Sequence, residues 1–370
     1  MRSQAIREVE FAGDENGQAS ALPCHDESFQ PFIQNESELE DVLTRASGQL
    51  ARSIRTLRSP LVVLGAGGKM GPTLAVLAKR AAKAAAHPLE IVAVSRFTNP
   101  QAKNWLERRG VSTWSADLLD RAAVERLPDS DNVLYLAGQK FGTLQNPAST
   151  WAANALAPAH AAERYPSARM VALSTGNVYP FVPVQSGGAR ESCDLTPIGE
   201  YANAAVARER IFEYFAARHG NPMALLRLSY AIDLRYGVLH DIARMVWESI
   251  PVNVSNGCFN CIWQGDANEM ILRSFDVASN PPAVLTLTAS GACSVRAVAT
   301  RFSELLDRPV RFEGEESDTA LLSDTEHLSR QLGPPKTSLE TMIRWTAHWV
   351  KNGGPSLNKP THFEVRNGKY

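Results

Sequence analysis

The chain has 370 residues, of which 44% are apolar and 21% charged, so we expect a globular protein of two closely packed lobes. Its 38 lysines and arginines are balanced by 39 acidic residues, which leaves no basic excess for binding a nucleic acid. No apolar run is long enough to cross a membrane, and residues 1–17 are polar and mixed in charge, so we expect neither a membrane partner nor a secretory signal.

The five cysteines are scattered through the chain, a pattern typical of the reducing cytoplasm, where we expect the protein to reside. Cys258 and Cys261 form a CxxC, but no second pair of cysteines or histidines stands at zinc-site spacing. Two part-buried thiols on a strand are the favoured interpretation. We therefore predict no metal site.

Residues 1–58 are predicted to form an N-terminal arm and a helix. The first 36 residues are rich in small, polar and acidic side chains, which indicates an irregular arm. Ser37 with Glu40 then forms a capping box, and apolar residues recur at helical spacing from there to Ile54. This extension would pack on the main domain or on a second subunit, so a homodimer is one predicted assembly.

In residues 59–230 short apolar runs alternate with helical patterns, which predicts a dinucleotide-binding domain. The predicted strands are Leu61–Leu64, Ile91–Val94, Val111–Trp114, Val133–Leu136, Met170–Leu173 and Ala224–Leu228. The predicted helices begin near Met70 and then cover residues 101–109, 121–127, 151–164 and 201–217. This alternation implies right-handed crossovers and a parallel sheet covered on both faces. The predicted fold class is α/β, a Rossmann doubly wound parallel sheet.

The pattern is less regular in residues 231–350, which we predict to form a smaller α/β substrate lobe, with part of it returning to the Rossmann domain. The predicted elements are helices over 240–249, 267–275, 295–306 and 338–350, and strands over 283–287 and 310–312. Residues 351–370 contain Gly, Pro and Asn and are predicted to form an extended tail.

A glycine-rich loop separates the first predicted strand from the first predicted helix. Glycine permits the tight turn and lets backbone N–H groups approach a pyrophosphate, at which the helix points its positive end. The position of the loop favours dinucleotide binding over a turn without a ligand. The predicted cofactor residues of the loop are Gly65, Gly67, Gly68, Lys69, Met70 and Gly71.

The residues that follow the second and third strands bear on which dinucleotide binds. A ribose 2′-hydroxyl calls for a carboxylate, whereas a 2′-phosphate favours a small residue followed by a cation, and the chain has Ser95 and Arg96. This pair favours NADP, with NAD as the alternative if Arg96 is a solvated surface charge. Asp117 is a candidate acceptor for the adenine amino group or the cap of the next helix.

With these residues in place, residues 60–350 resemble the extended short-chain dehydrogenase/reductase family, the NAD(P)-dependent epimerase/dehydratase group. The motifs that carry the resemblance are Gly65, Gly68 and Gly71 as GxxGxxG, Asp117-Leu118, Leu136-Ala137-Gly138, Asn154, the segment 174–179, Tyr201, Arg227, Asp266 and the segment 324–333. Their order and spacing match the family. The resemblance implies that Leu118, Ala137, Gly138 and Asn154 also contact the cofactor.

The resemblance also implies two catalytic residues. It assigns Thr175 as the hydroxyl that binds the substrate oxygen and Tyr201 as the proton donor or acceptor, because hydride transfer at a carbonyl carbon needs a proton at the oxygen. Without the resemblance, Thr175 would be interpreted as a satisfied strand-end hydroxyl and Tyr201 as an aromatic residue in the first turn of a helix.

The chain departs from the family at the lysine of the YxxxK motif. Ala205 stands at the lysine position, while Glu209 keeps the usual glutamate position, which argues against a shifted register. A tyrosine without a neighbouring cation has a pKa of about 10 and stays protonated at neutral pH, which hinders alcohol oxidation more than carbonyl reduction. Either Lys140 or Arg208 replaces the lysine, or redox turnover is impaired. The family lysine also holds the nicotinamide ribose, so Lys140 is a further predicted cofactor residue.

The substrate lobe departs from the family as well. Members that bind nucleotide sugars commonly carry an asparagine three residues after the Arg227 position and an arginine seven before the Asp266 position. This chain has Tyr230 and Phe259 there, so groups that would hold a diphosphate are missing. We predict a small-molecule substrate that is smaller and less charged than a UDP-sugar, such as a sugar, sugar acid or keto compound.

The predicted function is therefore an NAD(P)-dependent oxidoreductase or epimerase. The alternative is a catalytically weakened NAD(P)-binding sensor or scaffold, which Ala205 favours, whereas Thr175 and Tyr201 favour an enzyme. The loop 67–71 is also similar to that of dihydrodipicolinate reductases, but the histidine- and lysine-rich catalytic segment of those proteins is not found in the sequence.

Overall fold

A seven-stranded sheet forms the centre of the computed structural model, which describes residues 32–369. Its strands are β1 (Leu61–Leu64), β2 (Ile91–Ser95), β3 (Ser112–Ser115), β4 (Asn132–Tyr135), β5 (Arg169–Thr175), β6 (Met223–Leu228) and β7 (Ala283–Leu287). The order is β3-β2-β1-β4-β5-β6-β7, and every pairing is parallel. The order reverses between β1 and β4, where a crevice opens at the carboxyl ends of the strands. The predicted Rossmann sheet is confirmed.

Residues 32–369 contain thirteen α-helices, several of which cover the two faces of this sheet. They are α1 (Glu36–Leu43), α2 (Gly48–Ile54), α3 (Gly71–Ala84), α4 (Pro100–Glu107), α5 (Arg121–Glu125), α6 (Pro147–Trp151), α7 (Ala157–Arg164), α8 (Gly199–His219), α9 (Val238–Trp247), α10 (Gln264–Arg273), α11 (Val295–Leu306), α12 (Glu326–Leu332) and α13 (Leu339–Lys351). A π-helical turn joins α6 to α7, and short 3₁₀ turns occupy Gly176–Val178, Val184–Ser186 and Ser274–Val277.

The strands are apolar along their whole length because both faces are buried. Leu61 and Val63 of β1 pack in one hydrophobic cluster with α2, α3 and α10. Val62 and Leu64 face the opposite way and pack in a second cluster with α7 and α8. Ala66 and Met70 of the glycine loop, which follows β1 directly, are buried in the first of these clusters.

A third hydrophobic cluster lies mainly in the segment after β6. It is formed by α9, α11 and α13, together with Leu39 and Leu43 of α1. Short strand pairs complete this region. They are Ala231–Ile232 with Ile262–Trp263, Val252–Asn253 with Phe312–Glu313, Cys258–Phe259 with Cys293–Ser294, and Val182–Pro183 with Thr319–Ala320.

The N-terminal helix differs from the sequence prediction. It is split into α1 and α2, and the N-cap of α1 is Asn35, whose side chain accepts from the Glu38 backbone N–H. The predicted capping box of Ser37 and Glu40 is therefore wrong. The Glu40 carboxylate instead accepts hydrogen bonds from the Trp105 indole at 2.8 Å and from Arg109 at 2.7 Å.

None of the helices of residues 32–369 is long and apolar enough to cross a membrane. No group of three or more histidine, cysteine or acidic side chains among these residues is arranged to hold a metal ion. Cys258 is half-buried on a short strand, as predicted. Cys261 is buried and lies after the end of that strand. Both cysteines are free thiols. The arm predicted for the first part of the chain falls largely outside the described residues.

Candidate functional site

The glycine loop brings the carboxyl ends of β1 and β4 into close contact. Gly65 has a φ of +84°, and a Cβ at this position would lie 2.6 Å from the Ala137 backbone nitrogen. A Cβ at Gly71 would lie 2.4 Å from the carbonyl oxygen of Ala66. Only glycine fits these two positions, because the atoms that a side chain would meet are backbone atoms.

The loop leads directly into the N-terminus of α3. Met70 is the N-cap, and within the described part of the chain its side chain makes no capping hydrogen bond. Gly67 and Gly68 are exposed in front of this helix end. A helix N-terminus without a side-chain cap, reached by an exposed glycine turn, fits the pyrophosphate of a dinucleotide.

A first cavity of about 430 Å³ lies in front of the loop, at the carboxyl edge of the sheet. The predicted cofactor residues that line it are Gly65, Gly67, Gly68, Ser95, Arg96, Asp117, Leu118, Ala137 and Gly138. Its size is that of a pocket for a small molecule or a large part of a cofactor. The structure therefore brings together residues that are spread over four strand ends.

Asp117 lies at the first cavity and does not cap the helix that follows. It lines the first cavity, and its Oδ1 accepts from the Leu119 backbone N–H at 3.0 Å. The cap of the next helix, α5, is Asp120, which accepts from Ala123. The alternative interpretation of Asp117 as a helix cap is wrong.

A second cavity of about 190 Å³ contains the two predicted catalytic residues, Thr175 and Tyr201. Lys69, Met70 and Lys140 line this cavity instead of the first one. Thr175 is buried at the end of β5, where its hydroxyl donates to Asn177 Oδ1 at 3.0 Å. Tyr201 is half-buried in the first turn of α8. The site is thus built where β5 and α8 meet the glycine loop.

Both lysines of the second cavity are perturbed by burial. The Lys69 ammonium donates to the Ala231 carbonyl at 2.6 Å and lies 4.3 Å from the centre of the Tyr236 ring. Burial lowers the pKa of Lys69 to about 8, although Asp233 partly opposes the effect. Burial also lowers the pKa of Lys140 to about 8. The side chain of Lys69 was not singled out from the sequence, where only its place in the loop was considered.

The other two polar residues considered from the sequence, Asn154 and Arg208, are buried behind the cavities. Neither is among the described residues that line the first or the second cavity. Arg208 donates to the Leu173 carbonyl at 2.7 Å and to Asn154. Asn154, in the π-helical turn, donates to the Gln139 carbonyl at 2.9 Å. These two residues hold the backbone next to Gly138, and of the two candidate substitutes for the missing lysine only Lys140 shares a cavity with Tyr201.

A buried ion pair lies next to Ser174, one of the residues that line the second cavity. Arg227 Nη2 lies 2.8 Å from Glu209 Oε2, and both side chains are at most 4% exposed. Glu209 also accepts from the Ser174 hydroxyl at 2.5 Å. The network joins β5, β6 and α8, so it positions Thr175 and Tyr201 relative to each other.

Tyr230 and a residue of the C-terminal tail also line the second cavity. Tyr230 lines the cavity, and its ring lies 6.1 Å from that of the buried Phe259 in an edge-to-face arrangement. Thr361 is the residue of the tail that lines the cavity. The tail was expected to be extended, and its contribution to the cavity has no signal in the local sequence.

The sheet order and the glycine loop at its switch point define a Rossmann fold. Residues 61–235 match the model of the NAD dependent epimerase/dehydratase family, which confirms the predicted resemblance for this segment. No curated protein matches the sequence significantly.

Solved structures share the fold at low sequence identity. UDP-glucose 4-epimerase of Thermotoga maritima, solved with UDP-glucose, has a TM-score of 0.66 and 18% identity over 80% of this chain and 99% of its own. The UDP-glucose 4-epimerase of Thermus thermophilus, solved with NAD, has a TM-score of 0.65 and 18% identity over 80% of this chain and 99% of its own. An epimerase of Methanothermobacter thermautotrophicus has a TM-score of 0.67 and 17% identity over 83% of this chain and 96% of its own.

Proposed function

We propose that this protein is an NADP-dependent oxidoreductase or epimerase that acts on a small sugar, sugar acid or keto compound. The observation that carries the proposal is that Thr175, Tyr201 and Lys140 all line the second cavity, together with Lys69 and Met70 of the glycine loop. A dinucleotide cradle next to a tyrosine and a cation is the arrangement that hydride transfer to a carbonyl needs.

When bound, the coenzyme supplies a hydride to the carbonyl carbon of the substrate. The electron pair of the carbonyl bond then moves to the oxygen, and Tyr201 gives its phenolic proton to that oxygen. Thr175 holds the oxygen by a hydrogen bond, and the Lys140 ammonium stabilises the tyrosinate until a proton from solvent restores it. Lys140 thus takes the electrostatic role of the lysine that Ala205 replaces.

Two features support a small substrate. The second cavity, at about 190 Å³, is less than half the size of the first, at about 430 Å³. Tyr230 and the buried Phe259 pack against each other at the two positions where the family often has diphosphate-binding residues. The proposal therefore departs from the UDP-glucose that is bound in the Thermotoga maritima structure.

NADP is proposed over NAD because of the end of β2. Arg96 is exposed beside Ser95 at the first cavity, where it can pair with a 2′-phosphate. The NAD complex of the Thermus thermophilus relative supports NAD as the alternative. The free thiols of Cys193, Cys258, Cys261 and Cys293 support a cytoplasmic location.

Coenzyme titration followed by turnover tests the proposal. We expect NADPH to bind more tightly than NADH, and reduction of small keto compounds to depend on Tyr201. Tyr201→Phe should lower kcat by about 10²- to 10⁴-fold, because the proton donor is lost. The control is Tyr214→Phe on the same helix, whose side chain is exposed. The proposal fails if neither coenzyme binds, or if Tyr201→Phe is as active as the natural protein.

A sensor or scaffold is the second candidate function. It is favoured by Ala205, which is fully buried in α8 where the family has its lysine. This candidate predicts tight coenzyme binding with no turnover of any carbonyl compound, so the same titration and assay distinguish it from the enzyme.

A further inference from the structure

The C-terminal tail is anchored next to the second cavity. Phe363 is buried in the third hydrophobic cluster, and its carbonyl accepts from Asn256 Nδ2 at 2.8 Å. Asp241 of α9 accepts from the Thr361 backbone N–H at 2.8 Å and from the Thr361 hydroxyl at 2.6 Å. Because a chain end is ordered where buried side chains and hydrogen bonds tie it down, residues 361–364 are held beside the cavity that Thr361 lines.

This part of the tail contacts the segment that carries Lys140. The Lys140 ammonium lies 5.5 Å from the centre of the neighbouring Phe141 ring. The Phe141 ring in turn lies 6.3 Å, centre to centre, from the ring of His362 in the tail. Glu364 follows two residues later, with its Oε1 3.6 Å from Nδ1 of His362. The tail therefore brings a carboxylate to the segment after β4.

The groups that act on the charge of Lys140 come from the cavity and from the tail. Among the described residues of the lining, the other titratable side chains are Lys69, Tyr201, Tyr230 and Tyr236. On the side of the tail, His362 and Asp241 lie near Glu364. Burial lowers the pKa of Lys140, and the negative charge of Glu364 acts in the opposite direction and raises it.

The proposed reaction needs this lysine in its charged form. Ala205 stands at the lysine position of the family, so the mechanism assigns the role of the cation to Lys140, which comes from another segment of the chain. An ammonium that is taken out of water tends to lose its proton unless an anion lies near it. Glu364 provides such an anion.

We propose that Glu364 is a positioning residue of this reaction, whose carboxylate keeps the Lys140 side chain charged beside Tyr201. The inference rests on the proposed function, in which the Lys140 ammonium stabilises the tyrosinate. Glu364 is not among the described residues that line the second cavity, so it acts through Lys140 and is not itself a catalytic residue.

The pH dependence of NADPH-driven carbonyl reduction by the full chain tests the proposal. Glu364→Gln keeps the shape of the side chain and removes its charge, and the side chain is 34% exposed, so the fold should be preserved. We expect the alkaline limb of the kcat profile, where Lys140 loses its proton, to move to lower pH by about one pH unit, as loss of a nearby opposite charge commonly causes. KM should stay the same, because the lost charge acts on proton transfer and not on substrate binding.

Two further variants separate the charge from other effects of substitution. Glu364→Asp keeps the carboxylate and should keep the alkaline limb near its natural position. Glu315→Gln removes a carboxylate from an exposed position and should leave the whole profile unchanged.

Direct titration of Lys140 gives a readout that does not need turnover. NMR of the labelled lysine side chains in the protein without ligand, with the Lys140 signal assigned from Lys140→Met, measures its pKa. We expect this pKa to be lower in Glu364→Gln than in the natural protein by about one pH unit.

An equal Lys140 pKa in the two proteins overturns the inference, and so does a kcat profile that stays unchanged while that pKa falls. If either result appears while NADPH binding and Tyr201-dependent turnover persist, the proposed function stands and only this inference fails. If the pKa falls in Glu364→Gln but the natural protein binds neither coenzyme, the action of Glu364 on Lys140 stands and the proposed function fails.

Discussion

Replacement of Lys140 by methionine makes the cost of the buried charge measurable. Burial lowers the pKa of Lys140 from 10.5 to about 8, so the folded protein holds this proton less tightly than the unfolded chain does. The difference between the two pKa values corresponds to roughly 3 kcal/mol of folding free energy. Methionine keeps most of the side-chain length and removes the charge.

The sign of the effect follows from proton linkage. Below about pH 8 the lysine is charged in both the folded and the unfolded state, and the full cost is present. Between about pH 8 and pH 10.5 the unfolded state binds more protons, so the contribution of Lys140 becomes less unfavourable as pH rises. We therefore expect Lys140→Met to be more stable than the natural protein by roughly 3 kcal/mol at pH 7, with the difference shrinking toward pH 10.

Urea unfolding of the two proteins at a series of pH values without ligand provides the measurement. Lys83→Met is the control, and because Lys83 is exposed its stability should stay within about 0.5 kcal/mol of the natural protein at every pH. A Lys140→Met protein that is less stable at pH 7, or whose advantage does not change with pH, would refute the argument that burial depresses this pKa.

Two further predictions concern the glycine loop and the buried ion pair. Gly71→Ala should destabilise the protein by about 1–3 kcal/mol and weaken NADPH binding, because its Cβ would lie 2.4 Å from the Ala66 carbonyl oxygen. Gly68→Ala is the control, because its Cβ would lie 3.4 Å from the Gly65 carbonyl oxygen, and this variant should be as stable as the natural protein. Equal melting temperatures for the two variants would contradict the packing argument. Glu209→Gln should cost about 3–5 kcal/mol in chemical denaturation, because it leaves the charge of Arg227 buried without its partner. A loss below about 1 kcal/mol would show that water or another group compensates Arg227.

The sequence predicted the helices and strands whose formation depends on residues close together in the chain. The run Leu61–Leu64 is a strand with the predicted bounds, because four consecutive apolar residues between turn signals suit a strand buried on both faces. Val295–Leu306 also has the predicted bounds, since Ser294 caps its N-terminus. The glycine loop could be recognised from the sequence because two backbone segments that approach closely leave room for the hydrogen of a glycine but not for a Cβ. By contrast, Glu326–Leu332 was missed as a helix, and its seven residues carry only a weak periodic signal.

Only the tertiary structure decided how the charged side chains of the site are distributed. Arg208 and Lys140 were equal candidates in the sequence, but Arg208 is held in the core by Asn154 and the Leu173 carbonyl. Lys69 belongs to the glycine loop in sequence, yet its ammonium contacts Ala231, 162 residues away. Contacts between distant residues arise from packing of the whole chain, so no local pattern encodes them. Local hydrophobic runs and glycines therefore determined the scaffold, and the packing of distant segments determined which charges face the second cavity.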